Sequence, residues 1–325
     1  MPLSPCLFER QLLPKVWGGR ALEQLLGIPL PPGEAIGEAW ELFDRPEGSS
    51  RLRGSDLHLA DLMRAHPVEL LGPGVTPGYG GRFPLLLKFL DARDALSVQV
   101  HPNDAMAQGE RDGGKSEACV VLHAGPAARM VRGLRPGVDA ETLRAGAATA
   151  RIEDLLWSFR PAVGDCIHIP AGTVHAIGPD LVVFEVQQNS DLTYRLYDWG
   201  RPRPVQPDKA LAAARIEAAE VSPIVAPQQL ADGGQLIVVG EHFRVRRYQI
   251  GTGWQLCTLG LCTLGRYATI TVVAGRGTLI WQQADGERRL PLQVADTALI
   301  PACCDTVQLI PEQSLDLLIC DPGAN

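Results

Sequence analysis

The stretch VGDCIHIPAGTVHAI, residues 163–177, is the one on which the fold turns. Gly164 and Asp165 are turn formers. A strand runs from there to Pro170, which stops it because proline has no N–H for a ladder. Gly172 permits a second tight turn, and His175 opens the returning strand. The same punctuation recurs near the C-terminus. VADTALIPACCDTVQL (294–309) aligns with it without gaps: Val163 meets Val294, Asp165 meets Asp296, Ile169 meets Ile300 and Pro170 meets Pro301. Such self-similarity predicts two copies of one β-fold. The second copy keeps apolar positions and loses polar ones, since Gly172 becomes Cys303 and His175 becomes Thr306. A functional site is therefore expected in the first copy only.

Outward from this pair, 34 Gly and 26 Pro cut the chain into short apolar runs. They include FPLLLKFL (83–90), ALSVQVH (95–101), CVVLHA (119–124), LVVFEVQQ (181–188), YATITVV (267–273), GTLIW (277–281) and LDLLIC (315–320). Runs of this length and spacing predict a mainly β sandwich or barrel architecture. Helical pattern is confined to ALEQLLG (21–27), DLHLADLMRAHPVELLG (56–72), ETLRAGAATARIEDLLWSF (141–159) and KALAAARIEAAE (209–220). The Pro-rich VSPIVAPQQL (221–230) separates a long first part from an all-β last part, giving expected domains of 1–230, with helical insertions, and 231–325.

A chain of 325 residues with 46% hydrophobic content can bury a sizeable core. A net charge of −7 without a basic block argues against nucleic acid as the main partner, but not against an anionic small molecule. The N-terminal MPLSPCLFERQLLPKVWGG is broken by Pro and charge and does not read as a signal peptide. No apolar run approaches the roughly 20 residues of a membrane span. The eight cysteines form no C-x-x-C pair, and Cys257 and Cys262 lack the second pair that a zinc site would need. Buried free thiols in a reducing cytoplasm are the expectation.

GERDGGKSE (109–117) satisfies the phosphate-loop pattern G-x-x-x-x-G-K-[ST]. That pattern needs a buried strand before the loop and a helix starting at Lys-Ser. Upstream is the polar HPNDAMAQ, and downstream the strand-like EACVVLHAG. Side chains alternate across a strand, so Lys115 and Glu117 are expected to project together from one sheet face.

Gly164-x5-Pro170-x-Gly172-x2-His175 resembles the second signature of the cupin superfamily, which implies jelly-roll domains with a metal inside the barrel and His175 pointing at it. The first cupin signature supplies H-x-H and then Glu. Here Ser97, Gln99 and His101 share the polar face of one strand, Gln99 stands at the first His position, and Glu117 follows an unusually long loop, 102–114.

A narrower resemblance accounts for both departures. LSVQVHPND (96–104), GKSEACVVL (114–122), PAGTVHAIG (170–178) and FEVQQNSDLTYRLYDWGR (184–201) are similar to the motifs of type I, metal-dependent phosphomannose isomerases in their short bacterial form. VWGG (16–19), IGEAWEL (36–42) and FPLLLKFLDA (83–92) match as well, so the likeness covers nearly the whole chain and weakens over the last hundred residues. It implies that His101, Glu117 and His175 hold one Zn²⁺ per chain, with Gln99 as an additional or weak ligand. Two imidazoles and a carboxylate suit zinc with open positions, and equally non-haem Fe(II). It also implies that Lys88, Ser97, Lys115, Asp191 and Arg195 bind a sugar phosphate. The activity implied is exchange between mannose 6-phosphate and fructose 6-phosphate through a cis-enediol. Glu185 or Lys115 is then the base, with a His or metal-bound water as further options, and Asp191 doubles as a possible turn residue. A monomer or homodimer without membrane or nucleic-acid partners is expected. The competing classes are a cupin dioxygenase, which would not need Lys88, Lys115 and Arg195, and a non-catalytic sugar-phosphate binder, which would lack the base or a ligand.

Overall fold

The protein is described from a computed structural model, covering residues 3–147, 149–216, 224–251, 259–262, 265–304 and 306–323. Its described strands form two sandwiches of antiparallel sheets. In the first, a six-stranded sheet runs in the order Cys166–Ile169, Glu117–Ala124, Leu181–Gln188, Leu85–Ala92, Ile36–Leu42, Gln11–Gly19. It faces a five-stranded sheet ordered Leu156–Phe159, Met130–Leu134, His175–Ile177, Val98–Val100, Tyr194–Tyr197. In the second, a seven-stranded sheet is centred on Ala268–Ala274, Leu315–Pro322 and Phe243–Ile250, and a four-stranded sheet contains Arg276–Gln283 and Thr306–Pro311. Both Cys6–Leu7 and Gln228–Gln229 join the seven-stranded sheet, so the start of the chain and the residues just before 231 contribute to the second sandwich.

The packing explains why several strands read as unbroken apolar runs. Leu85, Leu87, Phe89, Val120, Phe184 and Val186 on one face of the six-stranded sheet pack against Phe243, Val245, Leu299 and Leu318 of the seven-stranded sheet. Leu90, Val121, Ile167 and Val183 on the other face meet Met130 and Ile177 of the five-stranded sheet. With both faces covered, all eight residues of Leu85–Ala92 are buried. The far face of the five-stranded sheet, Val98, Val100, Ala176 and Leu196, is covered by Leu143, Ala210 and Leu211 of two helices.

Three helical expectations are corrected. Residues 56–72 form two helices, Leu59–Ala65 and Pro67–Leu71, because Pro67 cannot continue the first and instead opens the second. The run 141–159 is helical only to Leu155. Leu156–Phe159 pairs with Met130–Leu134 as an edge strand, a non-local partner that overrides the local pattern. In 209–220 the helix is Pro207–Ala213, Ala214 is extended, and residues 217–220 lie outside those described. Cys257, and the start of the Pro-rich run at 221–223, also lie outside them.

The internal repeat is present with a shift. Cys166–Ile169 and Thr297–Ile300 are both strands, and His175 and Thr306 both open returning strands. Their side chains do not correspond: His175 is fully buried, whereas Thr306 is exposed and Val307 and Leu309 point into the core. A slip of one residue puts every side chain on the opposite face. The described interior of the second sandwich is apolar, built from Ile270, Val272, Leu279, Trp281, Val307, Leu309 and Leu317.

Candidate metal centre and its surroundings

Along the inner face of the six-stranded sheet, the apolar rows turn polar one step further along each strand. Leu90 is followed inward by Lys88, Val121 by Cys119 and then Glu117, and Val183 by Glu185 and then Gln187. Neighbouring strands place Glu185 opposite both Lys88 and Cys119. On the facing sheet, His175, Gln99 and Arg195 lie side by side in register. Period-two alternation on both sheets thus concentrates the chemistry between them.

Glu117 lies at the centre and is completely buried. Its Oε1 is 3.1 Å from His175 Nε2, and its Oε2 is 3.5 Å from His101 Nε2 and 2.6 Å from Lys115 Nζ. The three metal-type residues offer ligand atoms within 4.8 Å of one another. Both imidazoles are oriented from behind: His101 Nδ1 donates to the Leu192 carbonyl at 2.9 Å and His175 Nδ1 to the Thr173 carbonyl at 2.9 Å. That tautomer leaves Nε2 of each ring as a lone pair facing the carboxylate, the arrangement that holds histidine on a metal. Gln99 Nε2 lies 3.2 Å from His175 Nε2, and Ser97 Oγ donates to Gln99 Oε1 at 3.2 Å.

The trio fits a divalent cation on its own geometry. Glu117 Oε1 is buried without a hydrogen-bond partner. The nearest ring nitrogen, His175 Nε2, presents a second lone pair rather than a proton. A buried acceptor in that position is costly unless a cation lies between the two. Electrostatics agree. Burial, followed by the Lys115 ammonium, depresses the His101 imidazole to about 3, so the ring is neutral. Burial works against ionisation of Glu117, but the Lys115 ammonium 2.6 Å away holds its carboxyl well below the usual range.

Beside the trio runs a buried row of alternating charge. Glu185 Oε1 is 3.1 Å from Lys88 Nζ and 3.8 Å from Lys115 Nζ, and Lys88 is 3.8 Å from Glu38. Burial opposes the charge on Lys88, but Glu185, Glu38 and Glu117 outweigh it and raise its pKa. Glu38 was not singled out from the sequence. Its signal is the alternation in IGEAWEL, which puts Glu38 and Trp40 on one face, and the Trp40 indole donates to Glu38 Oε2 at 2.6 Å. Arg195 is half-buried opposite Gln99. Its Nη1 donates to the Pro204 carbonyl at 2.7 Å, and its buried Nε has no partner. Asp191 is exposed on the turn before that strand. What it sends inward is its backbone N–H, donated to Asp112 Oδ2 at 2.8 Å. The phosphate-loop pattern has no helix behind it: after Lys115 and Ser116 the chain enters the strand Glu117–Ala124.

A family model for the type I phosphomannose isomerase catalytic domain matches residues 7–118. A mannose-6-phosphate isomerase of Streptococcus mutans is 30% identical over 309 residues, 92% of each chain. The chain belongs to the mannose-6-phosphate isomerase family. The fold agrees throughout: the crystal structure of the mannose 6-phosphate isomerase from Bacillus subtilis superposes with a TM-score of 0.84 at 27% identity, over 98% of this chain and 99% of that one. A zinc-bound mannose 6-phosphate isomerase structure shares the fold at a TM-score of 0.78 and 19% identity, over 99% of this chain and all of that one. As in the rest of the family, the chain is an enzyme of the isomerase class.

Proposed function

We propose that the chain interconverts D-mannose 6-phosphate and D-fructose 6-phosphate, by moving a hydrogen between C1 and C2 of the open-chain sugar through a cis-enediol. The observation that carries this is the meeting of the His101–Glu117–His175 trio with Glu185, Lys88 and Lys115 in one buried site. His101, Glu117 and His175 would hold one Zn²⁺ per chain, with Gln99 beside them. Zinc in a solved relative and the lone pairs around Glu117 support that choice. Bound there, the metal supplies Lewis acidity toward the substrate's oxygens.

The remaining roles follow from what each side chain can do. Proton transfer needs a lone pair, and Glu185 is a buried carboxylate whose Oε1 faces Lys88 Nζ at 3.1 Å and Lys115 Nζ at 3.8 Å with lone pairs to spare. We therefore assign Glu185 as the base that lifts the C2 proton and returns it to C1. Lys115 donates to Glu117 Oε2 and sits 3.1 Å from His101 Nε2, so its ammonium is placed to offset negative charge developing on the enediolate. Lys88 fixes the Glu185 carboxylate. The planar fork of Arg195 suits a phosphate or enediolate edge. Ser97 orients Gln99, and Asp191 stands at the rim for a sugar hydroxyl. A reducing cytoplasm is supported by the thiols of Cys6, Cys119, Cys166 and Cys320, which form no disulfide. No helix among the described residues is long and apolar enough to cross a membrane. We place the molecule as a monomer or homodimer.

A coupled assay on mannose 6-phosphate tests the whole proposal. Turnover is expected to vanish on removal of metal with a chelator and to return with Zn²⁺. Zinc-loaded protein that binds the sugar phosphate without isomerising it would overturn it.

A further inference from the structure

Away from the trio, a second buried ion pair ties three chain segments together. Arg45 and Asp112 have side chains only 5% and 3% exposed, with Nη2 and Oδ2 2.5 Å apart. Asp112 uses both oxygens: Oδ2 also accepts from the Asp191 N–H at 2.8 Å, and Oδ1 from the Gly113 N–H at 3.0 Å. Arg45 Nη1 donates to the Asn189 carbonyl at 2.8 Å. Ser190 Oγ closes the cluster by donating to the Gly113 carbonyl at 2.7 Å. Asn189 Nδ2 donates in turn to the carbonyls of Asp44 and Phe83.

Two of the three segments lead directly to the candidate metal centre. From Asp112 the chain passes through Gly113 and Gly114 to Lys115. From Asp191 it passes to Leu192, whose carbonyl receives His101 Nδ1–H at 2.9 Å. The Leu192 carbonyl decides which nitrogen of His101 carries the proton. If it moved, the proton would be free to sit on Nε2, and that nitrogen could not ligate. Replacing a buried ion pair by apolar residues is often neutral for stability. Stability alone therefore gives no reason for a charged pair here, whereas placement of Leu192 and Lys115 does.

We infer that Arg45 and Asp112 are positioning residues for the metal centre, acting on His101 through the Asp191–Leu192 peptide and on Lys115 through Gly113–Gly114. The inference rests on the metal-centre proposal above, and the experiment separates the two. Metal-stripped wild type, Asp112→Asn, the double variant Arg45→Met/Asp112→Leu, and a control, Arg10→Met/Glu41→Leu, are titrated with Zn²⁺ against a competing chelator. Arg10 and Glu41 form another largely buried pair, which contacts Ala295 of the second sandwich. Thermal unfolding of each metal-free protein, and ¹⁵N shifts of the His101 ring, are recorded alongside.

Both Asp112 variants are expected to bind zinc about 10–100-fold more weakly than wild type. Their His101 shifts should show a mixture of tautomers, and kcat should fall at saturating zinc with KM little changed. The control is expected to keep wild-type zinc affinity. If Asp112→Asn does not fold, the double variant, which leaves no unpaired buried charge, decides the matter. Wild-type affinity and a single tautomer in the double variant, or an equal loss of affinity in the control, would overturn the inference. A wild type that binds no zinc would overturn the metal-centre proposal itself, and this inference with it.

Discussion

Lys115 and Glu117 stand two residues apart in sequence and 2.6 Å apart at their tips, and this short geometry was open to sequence reasoning. The same alternation puts Ser97, Gln99 and His101 on one face and leaves Val98 and Val100 in the helical-side core. What alternation cannot supply is the partner across the sheet. Arg195 lies opposite Gln99 and Glu185 opposite Lys88 only because of strand order. Two substitutions test these residues. Arg195→Lys keeps the charge and removes the planar fork. It is expected to stay folded by circular dichroism and to lose roughly tenfold or more in kcat/KM, about 1.4 kcal/mol of transition-state stabilisation. A kinetically silent Arg195→Lys would make the residue structural. Glu185→Gln keeps the shape and removes the base. Its kcat is expected to drop by about 10²–10⁴, with zinc content unchanged; near-normal turnover would return the role to Lys115.

At the scale of elements, the segment between His101 and Glu117 shows why a motif misleads without its flanks. Gly114 is there because two stretches of backbone meet: a Cβ on it would lie 2.5 Å from the Asp104 nitrogen and 2.6 Å from the Asn103 carbonyl carbon. Its N–H donates to Asp104 Oδ1 at 2.8 Å, and the next N–H, of Lys115, to the Pro102 carbonyl at 2.9 Å. The glycine thus closes the segment on itself and delivers Lys115 to the strand. Gly114→Ala must push backbone aside, at a cost of about 1–3 kcal/mol. Denaturant titration should register that loss, together with a fall in kcat as Lys115 is displaced. Unchanged stability would mean that the close approach is relieved by a small shift. The other turn glycine, Gly172, has φ 85°, where a side chain is strained, and a Cβ there would meet Arg215 Cγ at 2.8 Å.

In the whole molecule the first sandwich carries the candidate metal centre, and the described interior of the second is apolar. Metal analysis of purified protein is therefore expected to give one equivalent of zinc per chain; two equivalents would place a site in the second sandwich. Between the sandwiches, burial and then Asp165 push the Cys166 thiol from 9.0 up to about 12. A raised folded-state pKa means that stability is complete below pH 9 and is lost as pH climbs toward 12, because only the unfolded chain releases the proton. Cys166→Ala should flatten the fall in unfolding free energy between pH 9 and 11 by about 1.4 kcal/mol per pH unit, as read by denaturant melts; an unchanged slope would show that the thiol does not contribute. The sequence by itself determined the β-rich class and the inward faces of the site strands, because alternation and turn chemistry are local; the trio His101, Glu117 and His175 came from the resemblance of its motifs to those of type I phosphomannose isomerases. The tertiary structure alone decided the rest. It brought Glu38 to Lys88, set the Leu192 carbonyl behind His101, made an edge strand of Leu156–Phe159, and turned Thr306 outward where a gapless alignment matched it to His175. Each of these depends on which distant strand or loop lies alongside and in what register, and a one-residue slip in register exchanges the two faces of a strand while leaving its composition the same.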